Sequence, residues 1–243
     1  MLRVRTITLA ENDALDRENG PSYGFFVVEG GLWREVYVGE SSAPQLLGRG
    51  AVVLAAPPPH ELLSPASRIV AMTPVRLALL DRRFLAAAAR WPEVLRVLQG
   101  RLADQERDLA MQAAIFALSR VDERLWFLLW HLAEDWARVT PDGMRLELSL
   151  THETLGRFVG ARRPTVSLAV SALRERGLLR REDDGYWVLL GDAPELSDVV
   201  DDDPPDLRPR VHIARWRGHR SRARTGARTQ GEQARARRFE RGA

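Results

Sequence analysis

The sequence predicts an α+β chain in four segments. These are a β-rich region over 1–90, a long helix over 91–117, a helix-turn-helix with a hairpin over 118–191, and an arginine-rich tail over 192–243. Three observations predict this. Short apolar runs broken by Gly and Pro fill the first segment. An uninterrupted helical stretch with apolar residues three and four apart fills the second. The third holds two amphipathic helices that meet at a glycine, followed by a strand–turn–strand signal.

In the β-rich region, GFFVVEGGLWREVYV carries two apolar runs split by Glu29-Gly30-Gly31, which reads as a hairpin. LLGRGAVVLAA and IVAMTPVRLALLD repeat the pattern, as expected of a small barrel or sandwich. From Pro92 to Ala117 the only glycine is Gly100 and helix formers dominate. Leu95, Leu98, Leu102, Gln105, Leu109, Gln112 and Phe116 alternate three and four apart, an a/d seam of about three heptads suited to pairing with a second copy. Gln105 and Gln112 would cost stability there but fix register. A second helix is expected after an N-cap at Ser119, with Asp122 and Glu123 in its first turn. Its apolar stripe is Leu125, Leu128, Leu129, Leu132, Ala133 and Trp136, while Trp126 and Trp130 lie off the stripe and would seat the next domain. Thr140-Pro141-Asp142-Gly143 is a turn and MRLELSL a short strand.

The segment LTHETLGRFVGARRPTVSLAVSALRERGLL starts at Leu150. Thr151 suits an N-cap, Gly160 a sharp turn, and Pro164 the first turn of a second helix. Val166, Ala169, Val170 and Leu173 form that helix's buried side, and Gly177 ends it. Asp183-Asp184-Gly185 between LLRRE and YWVLL signals a hairpin, so the whole reads as a winged helix-turn-helix. The outward side of the second helix begins at Arg162 and Arg163 and runs through Ser167, Leu168 and Ser171, with no acid until Glu175. Basic groups at that end are where recognition helices meet base edges and phosphates.

Charge is distributed unevenly. All 36 basic residues are arginine, and there is no cysteine, which excludes disulfides and thiolate metal sites. Residues 204–243 hold twelve arginines against Asp206, Glu232 and Glu240, a net +9, and residues 1–203 carry a net −6. The basic balance therefore belongs to the tail, which reads as either a flexible arm adding phosphate contacts or a solvated extension. No signal peptide and no run of roughly 18 apolar residues is found, so no membrane partner is expected.

VDERLWFLLWHLAEDW and the Leu150 segment, with LLGRG and VRLALLDRRFL ahead of the long helix, resemble the cAMP receptor protein/fumarate–nitrate reductase regulator (Crp/Fnr) superfamily over residues 20–190. That resemblance implies a cyclic-nucleotide-binding-like β-roll, a dimerisation helix using Leu95, Leu98, Leu102, Leu109 and Phe116, and a winged helix-turn-helix. It also implies a cytoplasmic homodimeric regulator on double-stranded, pseudo-palindromic DNA, with RNA polymerase as a further candidate partner. By position Arg163 would read a guanine, while Thr151, Arg162 and Thr165, with Arg180 and Arg181 of the wing, would contact phosphates. Pro164 and Leu168 replace a reading glutamate and a second reading arginine, so these two and Ser167 would set a different base preference. In the family's cAMP cassette an arginine pairs with the phosphate. Pro65 stands in its place here, and His60, Glu61, Leu62 and Arg68 do not rebuild the pattern, so no cofactor, cAMP included, is expected.

Two other classes compete. Catalysis would have to draw on His60, His131, His152, His212 and His219, none of which has a metal-ligand spacing, and no phosphate loop or nucleophile elbow occurs. An interaction or scaffold protein whose helix-turn-helix no longer reads DNA is the alternative, and it fits the acidic body and basic tail.

Overall fold

A computed structural model describes residues 4–17, 20–55 and 66–194 of the chain. These belong to one compact unit, Met1–Glu195. The arginine-rich tail lies outside the described residues from 195 onward, as do His60, Glu61, Leu62 and Pro65.

Among the described residues, seven strands precede the first helix: β1 (Thr6–Leu9), β2 (Gly24–Glu29), β3 (Leu32–Val38), β4 (Ser41–Leu47), β5 (Val52–Leu54), β6 (Ala66–Ala71) and β7 (Val75–Leu80). They form two antiparallel sheets in the orders β1–β7–β2–β5 and β4–β3–β6. Strand alternation turns Phe25 and Val27 of one sheet and Leu32, Leu47 and Ile69 of the other into a common core. The hairpin expected at Glu29-Gly30-Gly31 is not formed, because β2 pairs with β5 and β7 whereas β3 pairs with β4 and β6. The chain turns there with Gly30 at φ 84° and crosses between sheets, which is how both apolar runs reach the same core.

Helix α1 (Arg82–Ala88) is capped by Asp81, whose carboxylate accepts from the Phe84 N–H, and α2 (Pro92–Ala117) opens on a proline. One side of α2 lies on the roll. Gln105 does not sit in a seam facing a second copy. Its Oε1 accepts from Val52 N at 2.8 Å and its Nε2 donates to Val52 O at 3.2 Å. Strand β5 is a sheet edge, and a side-chain amide can satisfy both groups of one edge residue as a neighbouring strand would. Helix α3 (Val121–Trp136) starts one residue later than expected. Its N-cap is Arg120, not Ser119, and the Arg120 guanidinium pairs with Asp122 at 2.8 Å.

The C-terminal part adds β8 (Ala137–Thr140), β9 (Gly143–Leu146), α4 (His152–Val159), α5 (Arg163–Glu175), β10 (Leu179–Arg181) and β11 (Trp187–Leu189). Its sheet has the order β10–β11–β9–β8. A second core gathers Leu125, Leu129, Leu155, Val166, Leu173 and Trp187. Trp126 is buried in that core with Trp130 edge-on at 5.7 Å, as expected of residues seating the next domain. Trp136 also reaches the roll: a Cβ at Gly31 would lie 2.7 Å from its ring, and one at Gly48 3.0 Å.

Candidate nucleic-acid interface

Local sequence positions the two helices of the reader. Thr151 Oγ1 accepts from the Thr154 N–H at 3.1 Å and starts α4. Gly160 ends it in the left-handed region at φ 63°, where a Cβ would also sit 2.4 Å from the Phe116 ring. Arg162 is the N-cap of α5, Arg163 its first residue, and Pro164 follows in the first turn. Val166, Ala169, Val170 and Leu173 are buried, as the spacing predicts. Arg162, Arg163, Pro164 and Thr165 are exposed, and Leu168 is 73% exposed.

Charge distribution separates the arginines of this domain into two groups. Arg145, Arg157, Arg176 and Arg180 are each paired with carboxylates. Arg124, Arg138, Arg162, Arg163, Arg174 and Arg181 have no carboxylate partner among the described residues, and Arg162 and Arg163 of these open α5. The first turn of α5 carries no acid either, so the positive end of its dipole and these cations stand unneutralised together. Such an arrangement attracts a polyanion.

The wing divides the two arginines assigned to it. Arg181 lies opposite Trp187 in the strand pairing and stands 5.1 Å from that ring, on the side facing α4. Arg180 points to the other face and is held by Asp142 at 3.2 Å and by Glu182. Successive strand residues face opposite ways, so Arg181 is turned toward α4 while Arg180 borders a cleft with Ser171 and Arg174 near the C-terminal end of α5. Of the two, Arg180 is ion-paired and Arg181 carries no carboxylate partner among the described residues. Ser167 is also turned inward: its hydroxyl donates to the Arg163 carbonyl at 3.0 Å and lies 2.9 Å from His152 Nδ1. That leaves it poorly placed to read a base.

Sequence patterns alone did not mark His152 as a functional position. It stacks on Trp187 at 5.8 Å and braces Ser167. Burial, then the charges of Arg181 and Arg163, push its pKa below the ordinary histidine value, which favours the neutral ring.

On α2, Leu95, Leu102, Leu109 and Phe116 are exposed and Leu98 is half-buried. The four exposed side chains recur every seven residues along one stripe beside the roll-facing side.

Comparison with known proteins agrees with this layout. Residues 123–199 match the Crp-like helix-turn-helix domain. A global nitrogen regulator from Synechococcus elongatus is 30% identical over 111 residues, 45% of this chain and 50% of that protein. The chain thus matches about half the length of this curated relative. A solved structure of a CooA mutant from Carboxydothermus hydrogenoformans superposes with TM-score 0.63 at 21% identity, covering 76% of this chain and 83% of that one. A CRP/FNR-family transcriptional regulator from Thermus thermophilus superposes with TM-score 0.57 at 21% identity, covering 77% and 94%. Residues 123–199 are thus a Crp-like helix-turn-helix domain, and the chain shares the fold of these solved structures.

The roll and the reader are joined by contacts that the spacing of residues did not reveal. Glu35 of β3 is buried and accepts from Ser42 Oγ at 2.7 Å, Tyr37 Oη at 2.8 Å and Arg157 Nη1 of α4 at 3.0 Å. Trp33, two residues away on the same face, meets Phe158 of α4 edge-on at 5.5 Å. Burial by itself raises the Glu35 pKa, but the hydrogen bonds from Ser42 and Tyr37 and the charge of Arg157 outweigh it and hold the carboxyl below the usual glutamate range. A carboxyl depressed by folding adds stability above its unfolded pKa, and that contribution is lost as pH falls through the folded value. Urea unfolding of Glu35→Gln should show a loss on the order of 1–2 kcal/mol at neutral pH, because Arg157 is partly exposed and screened. The difference from wild type should shrink as pH falls below the ordinary glutamate range and through the depressed folded value. A difference independent of pH would mean that the charge of Glu35 contributes nothing.

Proposed function

We propose that this chain is a sequence-specific DNA-binding transcription regulator of the Crp/Fnr superfamily that acts as a cytoplasmic homodimer on a pseudo-palindromic operator. The observation that carries the reading is the cluster of unpaired Arg162, Arg163 and Arg181 around the exposed N-terminal half of α5, with Leu168 open to solvent. Arg163 supplies the bidentate contact to a guanine, and Leu168 meets a thymine methyl, the one apolar feature a base pair shows in the major groove. Thr151, Arg162, Thr165 and Arg181 hold phosphates and fix the docking register. No catalytic role and no cAMP cofactor enter this reading, and among the described residues no helix is long and apolar enough to cross a membrane. RNA polymerase is the partner through which a bound regulator would act.

Selecting bound sequences from a randomised DNA pool tests the reading. Wild type should return a two-fold symmetric motif. Arg163→Ala should cost about 1–3 kcal/mol and flatten the preference at one base pair of each half-site. Leu168→Ala should cost less and change the weights only at a T·A position. A motif unchanged in Leu168→Ala would make the leucine structural. No retained DNA at all would favour a scaffold protein in which this surface serves another partner.

A further inference from the structure

We infer that His152 is a positioning residue of the base reader: through Ser167 it holds the first turn of α5, which carries Arg163, and it makes operator binding take up a proton. This role rests on the reading of α5 as a DNA-recognition helix, to which it adds a residue that sets geometry and pH dependence together.

A short relay runs from one helix of the reader to the other. His152 is the first residue of α4, directly after the Thr151 cap. Its Nδ1 lies 2.9 Å from Ser167 Oγ, and that hydroxyl donates to the Arg163 carbonyl at 3.0 Å. A hydroxyl has one proton to give. With that proton on the Arg163 carbonyl, Ser167 Oγ accepts from His152, which selects the Nδ1–H tautomer and leaves Nε2 as the basic nitrogen. A helical serine otherwise turns between its i−4 carbonyl and the outer face. The imidazole therefore keeps Ser167 off the groove and bonded to the turn from which Arg163 departs. The ring is held in its own place by stacking on Trp187 at 5.8 Å, and Trp187 Nε1 is anchored on the Leu150 carbonyl at 2.8 Å.

The charges around the ring tie this relay to a proton. Arg181 of β10 and Arg163 of α5 bear on it, and after burial they are what depresses its pKa. Trp187 of β11 is uncharged, and on α4 the neighbouring Glu153 is turned to Arg157 at 3.1 Å. A DNA backbone docked on α5 neutralises the two arginines and adds its own negative potential, so the ring holds a proton more tightly in the complex than in the free protein. That proton enters at Nε2, and the Nδ1–H bond to Ser167 survives it. A group whose pKa rises on binding draws the equilibrium toward the complex as pH falls through the range between its free and bound values. Operator affinity thus increases on mild acidification.

Fluorescence anisotropy of the full-length protein on the DNA selected by wild type, read across the pH range and paired with selection by each variant, tests the role. Wild type should tighten by at least about threefold from about pH 8 to about pH 6. His152→Asn, which offers a donor at the Nδ1 position but takes up no proton, should select the wild-type motif and lose this tightening. Comparing these two proteins cancels the titration of the other histidines. His152→Ala should lose the tightening and also change the base weights at the pair read by Arg163. Ser167→Ala should change the same weights while keeping the pH dependence, and it reads the relay if His152→Ala does not fold. Equal pH dependence in wild type and His152→Asn, or wild-type base weights in both alanine variants, would overturn the inference while leaving the regulator reading in place. A wild type that binds no DNA at any pH would overturn both.

Discussion

Leu102→Asp is expected to sediment as a monomer and to bind a palindromic DNA site at least about a hundredfold more weakly than wild type. The argument begins with the roll-facing side of α2, where Gln105 bonds Val52 and Ile115 is buried. Helical geometry of 100° per residue puts Leu95, Leu102, Leu109 and Phe116 on a neighbouring stripe, and all four are exposed. Four large apolar side chains at seven-residue spacing exceed what a solvated helix face needs. A second copy would cover them in a left-handed seam. An aspartate in the middle of that seam would be desolvated opposite its own copy. Once the dimer is lost, each half-site is bound independently and the gain from joining two readers disappears. Leu102 makes no contact on which the chain's own core depends, so circular dichroism should stay unchanged. A variant that still sediments as a dimer would place the interface on another surface.

The distinction between the seam and its flank shows where sequence reading works and where it stops. The seven-residue recurrence was legible because period alone identifies a stripe. Gln105 satisfies the same period yet faces the roll, since residues on adjoining stripes differ by a small rotation that spacing cannot resolve. The helix-turn-helix was legible almost residue by residue, because Thr151, Gly160, Pro164 and Gly177 act through local backbone chemistry. Arg180 and Arg181 looked equivalent in a list of wing arginines, and only the strand pairing reveals that they face opposite ways. The break at Glu29-Gly30-Gly31 was visible as a turn, but which strands pair across it is a long-range property. Contacts between distant segments, such as Glu35 with Arg157 or Arg34 with Gln45, leave no local signature at all.

Trp187→Ala should cost about 3–5 kcal/mol of stability, the largest loss expected from any single truncation in the reader. Trp187 is 1% exposed and is among the largest fully buried side chains of the described residues. Its Nε1 donates to the Leu150 carbonyl at 2.8 Å, immediately before the Thr151 cap, so it ties the wing to the start of α4. One ring face stacks on His152 with an interplanar angle of 22°, and Arg181 stands over the ring at 5.1 Å. Truncation therefore opens a cavity, leaves a buried carbonyl unsatisfied, and removes the surface that positions Arg181 and, through His152, Ser167. Trp187→Phe separates these effects, because it keeps most of the volume and loses the N–H. Its cost should be about 1–3 kcal/mol, the price of an unpaired buried acceptor. Denaturant unfolding of both variants, followed by DNA titration under conditions where each remains folded, reads stability and binding separately. Affinity should fall in both, and further in Trp187→Ala, because Arg181 loses the ring that holds it beside α5. Wild-type affinity in folded Trp187→Ala would show that Arg181 needs no aromatic support and that the wing contributes nothing to docking.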